Sequence, residues 1–301
     1  MTFQIAGFVN SIISRKLNVL SVRVLQGGQP LAQWDLDHDT RRLQHSISKS
    51  FTCMAAGLAI ADGKLSLDSQ LNDFFPHYGK SAINSPYPPE ELTLNHLLQM
   101  ASGHDSPPLW AEDRDRLQDK DWVQYYMSLP LDRMPGQTFT YSSGDTFMIS
   151  SMVQAAVGET VLSYLTPRLF EPLGITEVRW DASPFGTTLG CTGLWISCEE
   201  LSRFGQLLLQ KGRWQGNSCI PEDWINDVTR AQIDTPGSGD WALGYGKQFW
   251  ICTNNAYRAD GMYGQFCIVL PEREAVIAIQ SQEEDMQGIL DAVWTEILPW
   301  L

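Results

Sequence analysis

Positive charge is what this sequence has least of. It carries 21 Lys and Arg against 35 Asp and Glu, a net charge of −14. Such a chain repels phosphate backbones, which excludes nucleic acid as its natural partner. No apolar run reaches the length of a membrane span. The opening MTFQIAGFVNSIISRKLNVL has no basic leader region, no long apolar core and no small-residue cleavage site, so a cytoplasmic location is expected. The six cysteines include no Cys-x-x-Cys pair, and most sit among apolar neighbours. They read as buried free thiols, as suits a reducing compartment. All five histidines lie at or before His104, and none has metal-ligand spacing to another His or Cys. No metal and no cofactor is implied. A Gly-x-Ser-x-Gly elbow is absent too. With no histidine after His104, the chain order Ser, acid, His of an α/β-hydrolase is excluded. Internal repeats and low-complexity segments are also lacking.

What is present begins with Ser46-Ile47-Ser48-Lys49. This Ser-x-x-Lys tetrad heads a stretch with almost no charge as far as Ile60. Phe51, Met54, Ala55, Leu58 and Ala59 recur there at helical spacing. Residues three apart share a helix face, so the hydroxyl of Ser46 and the amine of Lys49 are placed to meet. A desolvated lysine serves a serine nucleophile as a base. Chance alone supplies on the order of one such tetrad per 300 residues, so the pattern needs support from the rest of the chain. His45 precedes Ser46 directly, and adjacent helical residues point apart.

With 301 residues and 43% hydrophobic content, the chain is long enough for a large core and one or two domains. Residues 4–16 read as an amphipathic helix. The alternation around Gly27-Gly28 reads as a hairpin. The Ser46 helix ends near Asp62-Gly63. Residues 64–185 look mainly helical, with Thr93 as an N-cap and residues 103–121 as a polar loop or lid. From about Leu189 a helix ending at Gly212 gives way to short strand-like runs, and residues 284–298 read as a closing amphipathic helix. An early hairpin must pair with the late strands to complete one sheet. The expected fold class is therefore α+β: an antiparallel sheet flanked by helices, with an inserted, mainly helical domain. The expected division is 1–62 with 186–301 as the sheet domain and 63–185 as the insert. Clefts between two such units favour ligands.

Several ordered segments then agree with one family. SISKSFTCMAAGLAIADGKLSLD, LTLNHLLQMASGHD, PGQTFTYSS, LFEPLGI, CTGLWISCEELSRFGQLLLQKGRW and YRADGMYGQFCIVLP follow one another. Together they resemble the serine β-lactamase superfamily across nearly the whole chain. That superfamily includes class C β-lactamases, penicillin-binding proteins, family VIII carboxylesterases and 6-aminohexanoate-dimer hydrolases. Tyr141-Ser142-Ser143 is most similar to the aminohexanoate-hydrolase and esterase side.

The resemblance implies a β-lactamase/transpeptidase-like fold and a small-molecule ester, amide or lactam substrate. It implies Ser46 as the acylated nucleophile, with Lys49 and Tyr141 as the assisting groups. Lys49 or a Tyr141 phenolate serves as the base, and residue chemistry leaves both open. Ser143 stands where many relatives carry asparagine. Ala259-Asp260-Gly261 occupies the place of the Lys-Thr-Gly motif, so the lysine that meets a substrate carboxylate is missing. Asp260 there is expected to disfavour carboxylates by like charge. Gly261 lets the backbone approach substrate closely. The amides of Ser46 and Met262 are the candidate oxyanion donors, and Trp110, Trp241 and Tyr263 the candidate cleft aromatics. A β-lactamase or D-Ala peptidase and a non-catalytic acyl-ligand-binding relative are the competing readings.

Overall fold

The computed structural model describes residues 5–78, 86–118 and 120–301. Residue 4 of the first expected helix and residue 119 of the expected lid lie outside the described residues. The chain opens with α1 (Ala6–Ser14), β1 (Val19–Gln26), β2 (Gln29–Asp35), β3 (Arg42–Gln44) and α2 (Ile47–Ala61). The middle carries α3 (Leu71–Phe74), α4 (Leu94–Leu98), α5 (Ala111–Arg116), α6 (Trp122–Ser128), α7 (Ser143–Val157) and α8 (Val161–Leu165). Next come β4 (Arg179–Trp180), β5 (Leu194–Ile196), α9 (Cys198–Leu209), β6 (Arg213–Trp214), β7 (Asn217–Ser218) and α10 (Glu222–Val228). The chain closes with β8 (Trp250–Ile251), β9 (Tyr257–Gly261), β10 (Gln265–Leu270), β11 (Ala275–Ser281) and α11 (Met286–Ala292).

The main sheet runs β2-β1-β11-β10-β9-β8, and its neighbours pair antiparallel. The first hairpin thus joins the last strands, as the α+β reading requires. Gly27 and Gly28 both take positive φ, at 55° and 75°. A two-residue turn with that twist matches the twist of the flanking strands. Alternation explains the near-continuous apolar runs of β10 and β11. Cys267, Val269, Val276 and Ala278 face a core shared with α2 and α9. Phe266, Ile268, Ile277 and Ile279 face the opposite core under α1 and α11. Both faces are covered, so both sets are apolar.

The first of these cores continues from the sheet into α4, α6, α7 and α8. We propose that residues 63–185 form the inserted unit, because α3 to α8 all fall within it. A second small sheet, β3-β5-β4, sits beside the start of α2. The local signals are physical ones. Thr93 Oγ1 accepts from His96 N at 3.3 Å and caps α4. Gly158, at φ 80°, ends α7. The expected closing helix is regular only over α11 and then widens into a π-type turn from Val293 to Ile297. Much of the run expected as a strand before Trp250 is instead loop, with Tyr245 making isolated bridges to Ile233 and Trp250.

Helix α2 is buried nearly end to end. Phe51 packs its ring 3.9 Å from that of Phe204 and 5.8 Å from that of Phe170. Phe51→Ala is expected to lower stability by about 3–4 kcal/mol, read by urea unfolding. A loss below about 1 kcal/mol would contradict the central place given to α2.

Candidate active site

Ser46 is the N-cap of α2, at φ −71°. The segment before it is held from the sheet side. Gln265 Nε2 donates to Leu43 O at 2.8 Å, and His45 N donates to Gln265 Oε1 at 3.1 Å. One side chain of β10 therefore clamps the chain at two points just before Ser46. Gly261, the last residue of β9, lies against the same place. A Cβ there would sit 2.8 Å from Gln265 Oε1 and 3.4 Å from Ile47 Cγ1. Glycine is required by this close approach, since its φ is not in the positive range.

The buried face of α2 carries polar groups that order the loop after residue 188. Thr52 Oγ1 donates to Gly190 O at 3.0 Å, and Leu194 N donates to Ser48 Oγ at 3.3 Å. On the facing helix, Ser150 Oγ donates to Thr188 O at 2.6 Å. This fixes the Cys191 carbonyl, which accepts from Lys49 Nζ at 3.3 Å. Lys49 also donates to Ser143 Oγ at 3.4 Å, and its ammonium lies 5.2 Å from the centroid of the Tyr141 ring. Lys49 is only 1% exposed. Burial pushes its pKa down to about 8, Arg114 adds to the shift, and Cys191 and Asp145 oppose it.

Tyr141 stacks against Trp250 at 5.6 Å and meets Tyr245 edge-on at 6.2 Å. Burial raises its pKa well above the ordinary phenol value, while a hydrogen bond from Ser46 works the other way. Ser46, Lys49, Tyr141 and Ser143 are thus brought to one place. Ser143 is the first residue of α7, and the cap is its neighbour: Ser142 Oγ accepts from Asp145 N at 3.0 Å.

The other expected residues divide. Trp110 reaches the site, 6.1 Å from the Tyr141 ring. Met262 and Tyr263 lie exposed in the β9–β10 turn, with Tyr263 at φ 67° and edge-on to His45 at 5.3 Å. Among the described residues, neither the Ser46 nor the Met262 backbone N–H donates a turn or loop hydrogen bond to protein. Asp260 is 8% exposed and accepts from Arg258 Nε at 2.9 Å and from Trp241 Nε1 at 3.0 Å. Its charge is matched by a fully buried guanidinium. The like-charge argument against carboxylate substrates therefore does not apply, and Trp241 is engaged with Asp260.

Behind Lys49 lies a buried polar cluster that sequence reasoning missed. Ser102 Oγ and the Tyr126 hydroxyl both donate to Asp145 Oδ1 at 2.9 Å. Ser102 gives its proton to Asp145, so His104 Nδ1, 3.1 Å away, is the donor to Ser102 Oγ. Burial pushes Asp145 up to about 6 and His104 down to about 4. Gln265 and Arg114 were missed as well. Gln265 stands in an apolar run and Arg114 in a charged one, and neither pattern marks a site.

Comparison with known proteins then fixes the family. The chain matches the family described as Beta-lactamase over residues 10–297. It belongs to the Beta-lactamase family. The 6-aminohexanoate-dimer hydrolase of Paenarthrobacter ureafaciens is 24% identical over 285 residues, covering 87% of this chain and 72% of that protein. The lovastatin esterase of Penicillium rubens is 28% identical over 154 residues, covering 45% of this chain and 38% of the relative. A penicillin-binding protein homologue from Pyrococcus abyssi has the same fold, with a TM-score of 0.76 at 17% identity, covering 96% of this chain and 76% of that one. As a family member, the chain is a β-lactamase-type hydrolase. Among the described residues, no helix is long and apolar enough to cross a membrane.

The depressed Lys49 pKa has a consequence for stability. The unfolded chain binds a proton on Lys49 up to about pH 10.4, and the folded chain only to about 8. Between these values the unfolded state holds more protons, so stability rises with pH. Relative to Lys49→Met, the natural protein is expected to gain roughly 2–3 kcal/mol between pH 8 and 10. Parallel stability curves for the two proteins would contradict the desolvated lysine.

Proposed function

We propose that this chain hydrolyses an ester or amide through an acyl-enzyme on Ser46. The observation that carries the reading is Lys49, buried with a pKa of about 8 beside Ser143 and Tyr141. An amine with that pKa is partly neutral near pH 7 and is a competent base. The Tyr141 phenol is shifted the opposite way, which favours Lys49 as the proton acceptor and keeps Tyr141 protonated.

In the proposed cycle, Ser46 Oγ attacks the substrate carbonyl carbon and its proton passes to Lys49 Nζ. The carbonyl oxygen becomes the oxyanion, held by the amides of Ser46 and Met262. The N-terminus of α2 adds the favourable end of a helix dipole. Collapse breaks the bond to the alcohol or amine, which takes a proton relayed from Lys49 through Tyr141. Water then attacks the acyl carbon by the same route and frees Ser46. Ser143 Oγ accepts from the Lys49 ammonium whenever it is charged. The exposed Tyr263 and the Trp110 ring flank the entrance to this site, and Gly261 admits substrate against the end of β9.

Esters and amides are favoured over lactams by the similar proteins. The relatives include a 6-aminohexanoate-dimer hydrolase and a lovastatin esterase.

4-Nitrophenyl butyrate, nitrocefin and a short linear amide test the reading. Ser46→Ala is expected to lose at least about 1,000-fold in ester turnover, and Tyr141→Phe about 100-fold. Turnover that survives in Ser46→Ala removes Ser46 from the chemistry. Nitrocefin turnover well above ester turnover would make a β-lactamase the better reading. With Lys49 as base, kcat/KM is expected to rise with pH and level off above about 8. A profile still climbing beyond pH 10 would assign the base to the Tyr141 phenolate instead.

A further inference from the structure

We propose that Arg114 reads an anionic group on the substrate, a carboxylate above all, and so sets the substrate class of this hydrolase. The proposal rests on the acyl-enzyme reading of Ser46. It concerns a residue of the lid, which no motif marks.

Arg114 belongs to α5, and the N-cap of α5 is Trp110. Trp110 packs on Tyr141, so α5 lies over the phenol. Arg114 Nη1 lies 3.4 Å from Cys191 Sγ, and the carbonyl of the same cysteine accepts from Lys49 Nζ at 3.3 Å. One residue therefore touches both cations and places the guanidinium at the rim of the site. His45, next to the nucleophile, also feels the Arg114 charge.

Arg114 is held but not neutralised. Its other protein contact is the Leu109 carbonyl, at 3.4 Å from Nη1. Among the described residues, no carboxylate lies within 4.0 Å of its guanidinium. The nearest acid in sequence, Asp113, turns back to accept from Trp110 N at 3.3 Å. Glu112 and Asp115 are exposed. Arg114 itself is half-buried, so water solvates it only in part. A planar fork of donors in that state is suited to a bidentate carboxylate.

The opposite wall makes the same point. Ala259 stands at the lysine position of the third motif, and the charge of Asp260 beside it is matched by Arg258. No free negative charge from the third motif faces the nucleophile. In a chain of net charge −14, two basic side chains, Lys49 and Arg114, meet at Cys191. Local cations in a low-dielectric cleft outweigh distant surface charge for a bound ligand. The missing carboxylate-binding lysine of the sheet is thus replaced by an arginine of the lid.

The test compares 4-nitrophenyl valerate with mono-4-nitrophenyl adipate, which adds a terminal carboxylate to the same acyl chain. The natural protein is expected to favour the adipate in kcat/KM. Arg114→Gln is expected to cut the adipate-to-valerate ratio about tenfold, and Arg114→Lys to restore part of it. A second arm reads binding without turnover. Ser46→Ala is titrated with adipamate and valeramide by calorimetry, with and without Arg114→Gln. Tighter adipamate binding that disappears with Arg114→Gln supports the proposal, even if neither ester is cleaved and the acyl-enzyme reading falls. Equal binding of the two amides, or a ratio unchanged within twofold in Arg114→Gln, overturns it.

Discussion

The structure depends on keeping Lys49 dry. A charged amine in a protein interior is costly unless it is paired, and the usual answer is a carboxylate. Lys49 has none within ion-pairing distance among the described residues. Its hydrogen-bond acceptors are a serine hydroxyl and a backbone carbonyl, with an aromatic ring alongside. Neutral acceptors satisfy the amine's geometry without restoring its ordinary basicity. Much of the surrounding architecture provides those acceptors. Ser48, Thr52 and Ser150 are polar residues at core positions because they bind the loop that supplies the Cys191 carbonyl. They read as interruptions of two apolar helices, and they hold that loop in place.

The same constraint explains why two pieces of chain distant in sequence meet at Ser46. The hairpin of β9 and β10 carries both Gly261 and Gln265. Gly261 permits contact with the start of α2, and Gln265 fastens the residues before it. The sheet thus positions Ser46, and the helical segment delivers Tyr141 and Ser143 to the same place. Arg114 completes the wall from above.

How much was legible in the residues follows from the range of each interaction. Ser46 and Lys49 are three apart on one helix, and Tyr141 sits in a turn-rich motif, so local spacing exposes them. The sheet from both ends was legible because β10 and β11 are apolar on both faces and β1–β2 is a glycine hairpin. Asp260 was legible as a residue but not in its surroundings. Arg258, two positions earlier on the same strand, determines whether Asp260 repels a substrate, and alternation alone does not show that they pair. Gln265, Asp145 and Arg114 were invisible for a related reason. Gln265 and Arg114 act on partners 220 and 77 positions away, and Asp145 on partners 19 and 43 positions away, across contacts that no local periodicity encodes.

The central claim is that burial makes Lys49 the base of this site. Its most direct measurement is the ionisation of Lys49 itself, followed by NMR of the lysine side chain in ¹³C,¹⁵N-lysine-labelled protein and assigned with Lys49→Met. A midpoint near pH 8 is predicted. A midpoint near the ordinary lysine value, about 10.4, would contradict it.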